Sequence, residues 1–430
     1  MQTDLRQLAV AFGTPLYAFD ARALAERVRV LRAALPQGTG ICFAIKANPF
    51  VLPELEPLID RLEVCSPGEY RICEALGLAH GKLVVSGVHK DAETVESAIA
   101  ADALPAAITV ESLEQLDLVV RTASWRGVRV PVLLRLTSGN QFGMAPNDLI
   151  AAVRQLKRAA YIDLRGIQFF SGTQKTSLKR IARELARLDA FMRELDETCG
   201  WMPPELEYGP GLPVAYFEGD AFDEAAYLTE FSELLEGMEF SGRITLELGR
   251  SLVAASGTYL TRVVDTKVNG GQRYAIVDGG IHQLVYYGQS MAMHQPPVRL
   301  LDAGRSALAA HGEDAARSAA DAARTAADTA ARGAIAHADA SPAGAWTVCG
   351  SLCTVNDILA KQLPLAGLEV GDILAFERTG AYSMTEGISL FLSRDLPAVV
   401  VIGEDGAPAL VRDALRTDII NTPLAQLGSR

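Results

Sequence analysis

Eight short apolar runs recur along the first 250 residues, each followed by a segment with helical spacing, and this rhythm admits very few architectures. The runs are 41–47 (ICFAIKA), 61–66 (RLEVCS), 82–87 (KLVVSG), 106–112 (AAITVES), 128–137 (VRVPVLLRLT), 164–172 (LRGIQFFSG), 205–212 (ELEYGPGL) and 243–250 (RITLELGR). Helix-patterned pieces such as 91–101, 112–124, 147–160 and 176–198 lie between them. Eight strands alternating with helices predict a (β/α)8 barrel, placed at 26–255. An open doubly wound sheet is the runner-up, but no glycine-rich fingerprint follows the first strand. Beyond 255 the rhythm changes. GTYLTRVVDTKV, QRYAIVDGG, DILAFERTGAY and PAVVVIG read as strands with no regular helix between them, so 256–430 is expected to form a mainly β domain. TPLYAFD at 14–20 would add a strand to it, which assigns 1–25 to the same domain. Residues 305–344 stand apart as an alanine-rich insertion, in which AARSAAD (315–321) is repeated as AARTAAD (322–328). With almost no large apolar side chain it reads as a solvated excursion and not as a coiled coil.

Composition narrows the function classes. A formal charge of −12 gives no support to nucleic acid as a partner. No apolar run approaches a membrane span and the first twenty residues lack an export signal, which together predict a cytoplasmic protein. The six cysteines (Cys42, Cys65, Cys73, Cys199, Cys349, Cys353) are scattered without the pairing that a zinc site needs, so no metal is expected and free thiols are the default.

A few residues stand out within this layout. Lys46 ends an apolar strand in which six of the seven positions from Ile41 to Ala47 are apolar, and burying an ammonium is costly unless it is paired or chemically used. EYGPGLP (207–213) and ELGR (247–250) follow the seventh and eighth strands, where barrels commonly bind phosphate. Gly209, Gly211 and Gly249 let backbone approach an anion, and Arg250 adds a fixed positive fork. Taken singly, each has a bland reading: a snorkelling lysine, a turn, a surface ion pair. Taken together, a strand-end lysine and a phosphate cradle across one barrel mouth point to pyridoxal phosphate, held by lysine as a Schiff base.

From Thr14 to about Val401 the chain also resembles the fold-type III pyridoxal-phosphate-dependent decarboxylases, the ornithine/diaminopimelate decarboxylase family. FAIKAN is similar to that family's Schiff-base motif, VCSPGEY to its next strand and turn, ELGRSLVAASG to its Glu-Pro-Gly-Arg element, VCGSLCTVNDIL to its cysteine motif and GAY to its phosphate-binding tyrosine. The resemblance implies that Lys46 carries the cofactor and Glu247 faces its ring nitrogen, while Gly209, Gly211, Gly249, Arg250, Thr173 and Tyr382 surround the phosphate and Arg135 lies close by. It further implies a homodimer with shared sites, in which Cys353 protonates the substrate carbon, Asp357 enters the neighbouring site and Asp278 lies in the substrate region.

There are departures. Pro210 and Pro213 interrupt the family's glycine run, Phe170 stands where a histidine often meets the cofactor ring, Gln168 replaces another frequent histidine, and Ser351 a frequent proline. Thr354 occupies the position after Cys353, where members acting on basic amino acids carry an acid that contacts the distal amino group. A hydroxyl does not pair an ammonium as a carboxylate does, so lysine, ornithine and diaminopimelate become less favoured substrates. LCT, FFSGTQ, VDGGIH and FLSRDLP are more similar to the branch that includes the glutamyl-carrier-protein decarboxylase of butirosin biosynthesis. The expectation is α-decarboxylation of an L-amino acid or aminoacyl derivative, with an acyl or peptidyl carrier protein as a further partner. The rivals are a basic amino acid decarboxylase and a non-catalytic PLP-binding homologue.

Overall fold

The computed structural model describes residues 3–286, 293–301 and 344–423. The alanine-rich insertion therefore lies, apart from Gly344, outside the described residues. Strand β1 (Leu16–Asp20) is followed by helix Ala21–Ala34 and then by eight strands: β2 (Gly40–Ala44), β3 (Arg61–Val64), β4 (Leu83–Val85), β5 (Ala107–Val110), β6 (Val130–Leu136), β7 (Ile162–Phe170), β8 (Glu205–Gly209) and β9 (Arg243–Leu248). They run parallel and close in sequence order, with β2 pairing β9 through Gly40↔Thr245 and Phe43↔Leu248. All eight predicted runs are strands of this one barrel.

Period-two alternation decides which side chains point inward. Outward residues such as Ile41, Phe43, Leu62, Leu83, Val85, Leu206 and Leu246 join the main core under the helices. Inward positions are smaller or polar: Cys42, Val84, Ala107 and Leu133 form a separate apolar cluster, while Arg61, Glu63, Gln168, Glu205, Glu207 and Thr245 are buried polar groups. The barrel interior is thus apolar on one side and ionic on the other.

The second sheet contains β10 (Gly257–Asn269), β11 (Gln272–Val277), β12 (Val298–Leu301), β13 (Ala345–Cys349), β14 (Ile358–Pro364), β15 (Ile373–Glu377), β16 (Ala398–Ile402) and β17 (Pro408–Arg412). β1 is inserted into it, antiparallel to β10 and parallel to β16, as TPLYAFD foreshadowed. Tyr17 and Phe19 face the core shared with the barrel, next to Tyr259, whereas Leu16 and Ala18 face a smaller cluster with Leu8 and Ala9 of helix Leu5–Phe12. A bulge between Val263 and Asp265 bends β10 so that one half pairs β1 and β15 and the other β11.

Candidate active site

Lys46 is not on a strand. β2 stops at Ala44, and Ile45–Ala47 form one 3-10 turn, closed by Asn48, whose N–H donates to the Ile45 carbonyl at 3.0 Å. Asn48 Oδ1 accepts the Phe50 N–H at 3.0 Å, and Nδ2 donates to the Gly380 carbonyl at 2.9 Å. Ile45 and Ala47 are buried, so the turn leaves Lys46 facing a cavity of about 470 Å³ at the C-terminal mouth of the barrel. The apolar run 41–47 reads as one strand because burial continues through a turn that periodicity does not reveal.

Lys46 Nζ donates to Glu63 Oε2 at 2.5 Å, lies 3.8 Å from Glu247 Oε1 and is 3.4 Å from Cys65 Sγ. Burial opposes the ammonium, but Glu63 and Glu247 outweigh it and hold the amine well above the ordinary lysine range. The two carboxyls are coupled. Although burial works against both charges, the nearby ammonium pushes Glu63 down, whereas burial and the Glu63 charge push Glu247 up. The two carboxyls titrate as a pair, with Glu63 favoured in its ionised form and Glu247 pushed toward its neutral one.

Two capping motifs set this mouth. At the end of β3 Ser66 accepts the Glu69 N–H at 3.1 Å, and Glu69 reaches back to the Cys65 N–H at 2.6 Å. At the end of β5 Ser112 accepts the Gln115 N–H at 3.2 Å, and Gln115 Oε1 accepts the Glu111 N–H at 3.0 Å. Glu111, fixed in this way, takes Arg135 at 2.9 Å and the Gly143 N–H at 3.2 Å, and Arg135 lies over the Phe142 ring.

The phosphate side is assembled from three loops. Gly211 has φ +64° and any Cβ there would strike the Gly172 carbonyl, so the loop after β8 lies against the loop after β7. Gln174 clamps both backbone groups of Val214, at 2.7 and 2.9 Å. A Cβ on Gly249 would come within 2.9 Å of the Tyr382 hydroxyl. Tyr382 comes from the other domain: its N–H donates to the Ala47 carbonyl at 2.8 Å, and its backbone sits at φ +63°. The Arg250 guanidinium lies over the Tyr382 ring at 4.6 Å and donates to the Tyr216 hydroxyl at 2.9 Å.

The cavity brings together Lys46, Arg135, Thr173, Gly211, Glu247, Gly249, Arg250 and Tyr382, with Phe170 in its wall. Gly209 sits just beneath, against Phe170. Four expected residues are elsewhere in this single chain. Asp278 accepts from the Thr14 and Thr261 hydroxyls and the Arg262 N–H; Asp357 is buried and accepts the Ile281 and Leu352 N–H groups; Cys353 is exposed and Thr354 half-buried beside it. Sequence reasoning missed Glu63, Glu111, Tyr216 and Lys90, the last lowered to about 8 by burial against the pull of Glu111. The period-two pairs Arg61/Glu63 and Glu205/Glu207 were the available signal for an ionic interior.

A lysine, an acid across the cavity, and a glycine-lined cradle with arginine and tyrosine suit an aldehyde, a ring nitrogen and a phosphate on one planar ring, which defines a pyridoxal-phosphate barrel enzyme. Residues 42–380 match the family profile described as pyridoxal-dependent decarboxylase, C-terminal sheet domain, and the chain belongs to that family. It is therefore a PLP-dependent decarboxylase, a lyase. It is 28% identical to a diaminopimelate decarboxylase of Pseudomonas aeruginosa (93% of this chain, 90% of the relative). It is 24% identical to the L-glutamyl-[BtrI acyl-carrier protein] decarboxylase of Niallia circulans (98% and 96%). The fold is that of the crystal structure of diaminopimelate decarboxylase from Helicobacter pylori complexed with L-lysine, with a TM-score of 0.76 at 22% identity, covering 99% of this chain and all of that one.

Proposed function

We propose that this enzyme decarboxylates an aminoacyl group tethered to a carrier protein, in specialised metabolism, and that a homodimer completes each site. The observation that carries the substrate reading is Thr354. An unpaired ammonium in a closed site costs several kcal/mol, about 3–5, whereas an amide or thioester is served by a hydroxyl. The carrier-protein decarboxylase among the relatives supports it. The relatives named diaminopimelate decarboxylase favour a second reading, a free basic amino acid, and Glu386 places a carboxyl side chain at the cavity wall.

Bound pyridoxal phosphate supplies an electron sink for the pair released when the Cα–carboxylate bond breaks. Lys46 is the amine that holds it. Glu247 would hold the proton at the ring nitrogen and Arg250, Tyr382, Thr173 and the glycines would bind the phosphate, while Phe170 and Arg135, the latter locked by Glu111, line the cavity beside them. Cys353 of a second copy holds the proton destined for the substrate carbon. Its exposure supports this, as does the apolar surface nearby: Val355 is 89% exposed, and Leu390, Phe391 and Leu392 are also exposed on a loop tied to Ser351 through Arg394.

The test is CO2 release from free glutamate, aspartate, lysine, ornithine and diaminopimelate, and from glutamyl- and aspartyl-loaded carrier protein, under one set of conditions. Faster turnover of the loaded carriers is expected. Efficient turnover of a free basic amino acid, with none on a carrier, would establish the second reading.

A further inference from the structure

Beneath the cavity, among the described residues, four inward carboxyls (Glu63, Glu205, Glu207, Glu247) share two cations, Lys46 and Arg61. Arg61 gives both of its terminal nitrogens to Glu205 and reaches Glu207 Oε2 only at 3.3 Å. That is long for a charge-assisted bond. Glu207 is fully buried, and its other oxygen, Oε1, has no hydrogen-bond partner among the described residues. Neither does Gln168 Oε1, on the residue that pairs with Glu207 across β7 and β8, nor Thr245 Oγ1, across β8 and β9. Gln168 spends its other end on Glu247, donating from Nε2 to Oε2 at 3.0 Å.

The Thr245 hydroxyl can serve one of the two Oε1 acceptors but not both, and an acceptor left without a donor is expensive in a dry interior; a proton on Glu207 supplies the second. The register that pairs Gln168 with Glu207, both unpartnered at Oε1, lets a carboxylic acid at Glu207 donate to Gln168 Oε1, which a carboxylate could not do. In the cofactor-free chain two cations, Lys46 and Arg61, face four buried acids, a surplus of carboxyls that favours a proton on the most poorly paired of them. The charged or titratable neighbours of Glu207 are Arg61 and Glu63 on β3, Glu205 on its own strand, Cys42 on β2 and Glu247 on β9. Burial lifts Glu207 to about 8; Arg61 opposes the rise, and Glu63 and Glu205 add to it.

We propose that Glu207 is a positioning residue that remains a neutral carboxylic acid in the loaded enzyme, donating its proton to Gln168 so that Gln168 holds the Glu247 carboxylate against the ring nitrogen of the cofactor. This rests on the reading of Glu247 as the ring-nitrogen partner. Infrared spectroscopy of the holoenzyme at pH 7 should show the carbonyl band of a buried protonated carboxylic acid. That band should fade as pH rises through about 8, and it should be absent in Glu207→Gln. Glu207→Gln keeps a neutral donor, so kcat should stay within about twofold, whereas Glu207→Ala should lose about tenfold in kcat at little changed KM. The pH at which the bound cofactor's absorbance changes should move in Glu207→Ala and return in Glu207→Gln. A holoenzyme without the acid band, or a band unchanged in Glu207→Gln, overturns the proposal. If that variant does not fold, the difference spectrum between wild type and Glu207→Ala, in which the band must be lost, decides. A protein that carries no cofactor at Lys46 refutes the underlying reading instead, and absorbance distinguishes the two outcomes.

Discussion

At the scale of single residues, the site works by pairing charges that neither water nor bulk protein would hold. Lys46 is kept protonated by Glu63 and Glu247, yet an amine captures an aldehyde only when neutral. Cofactor capture by the cofactor-free protein should therefore accelerate as pH rises toward the elevated lysine value. Glu63→Gln removes the nearest carboxylate and should lower that value, leaving more of the amine neutral and speeding capture at pH 7 by at least about tenfold. Stopped-flow absorbance measures this, and an unchanged rate would separate Glu63 from the lysine's charge. Gly249→Ala is a second probe. Its methyl group would sit 2.9 Å from the Tyr382 hydroxyl and 3.3 Å from Ala47 Cβ. Displacing Tyr382 should weaken cofactor binding by about tenfold, roughly 1.4 kcal/mol, with folding intact. Equilibrium dialysis against pyridoxal phosphate checks it; undiminished affinity would remove Tyr382 from the cradle. Lys46, Glu247 and Arg250 are legible in sequence because each ends a strand-like run with an out-of-place charge. Glu63 is not: it lies mid-strand in RLEV, where a charge in an apolar run signals an edge as readily as a polar barrel interior.

At the scale of elements, alternation carried most of the information. All eight barrel runs are recognisable because their outward residues are continuously apolar, and β1 stands out because LYAF is apolar on both faces. What alternation does not encode is where burial passes from strand to turn, so β2 is shorter than the run that contains it and Lys46 gains its outlook from Asn48. β1 also shows how firmly the two domains are joined. It lies between β10 and β16 with Leu16, Tyr17, Ala18 and Phe19 all buried. Removing residues 3–20 would open the sheet at its centre, so the truncated chain should fail to yield folded protein. Tyr17→Ala alone should cost about 3–5 kcal/mol by chemical denaturation. A stable truncated protein with native circular dichroism would show the barrel to be independent of this sheet.

At the scale of the whole molecule, the cavity combines barrel residues such as Lys46, Glu247 and Arg250 with Tyr382 and Glu386 from the sheet domain, yet Cys353, Thr354 and Asp357 stay outside it. Tyr382 reaches the barrel because Gly380 and Thr379 are hydrogen-bonded to Ala254 and Gly257 and Asn48 bridges to the Gly380 carbonyl, so the cradle belongs to one chain. The cysteine loop has no such tether to the barrel among the described residues, and its exposed apolar neighbours suit burial against a second copy. No local pattern in the sequence distinguishes the two cases, since GAY and SLC lie within thirty residues of each other. The proposed site is thus assembled from Lys46 of one copy and Cys353 of the other. Mixing Lys46→Ala with Cys353→Ala subunits, each inactive alone, and measuring CO2 release after exchange verified by mass spectrometry tests it directly. Random exchange should restore up to about a quarter of wild-type activity, because half of the dimers are mixed and each contains one intact site. No recovery despite proven exchange would place both residues in the same chain and contradict the shared site.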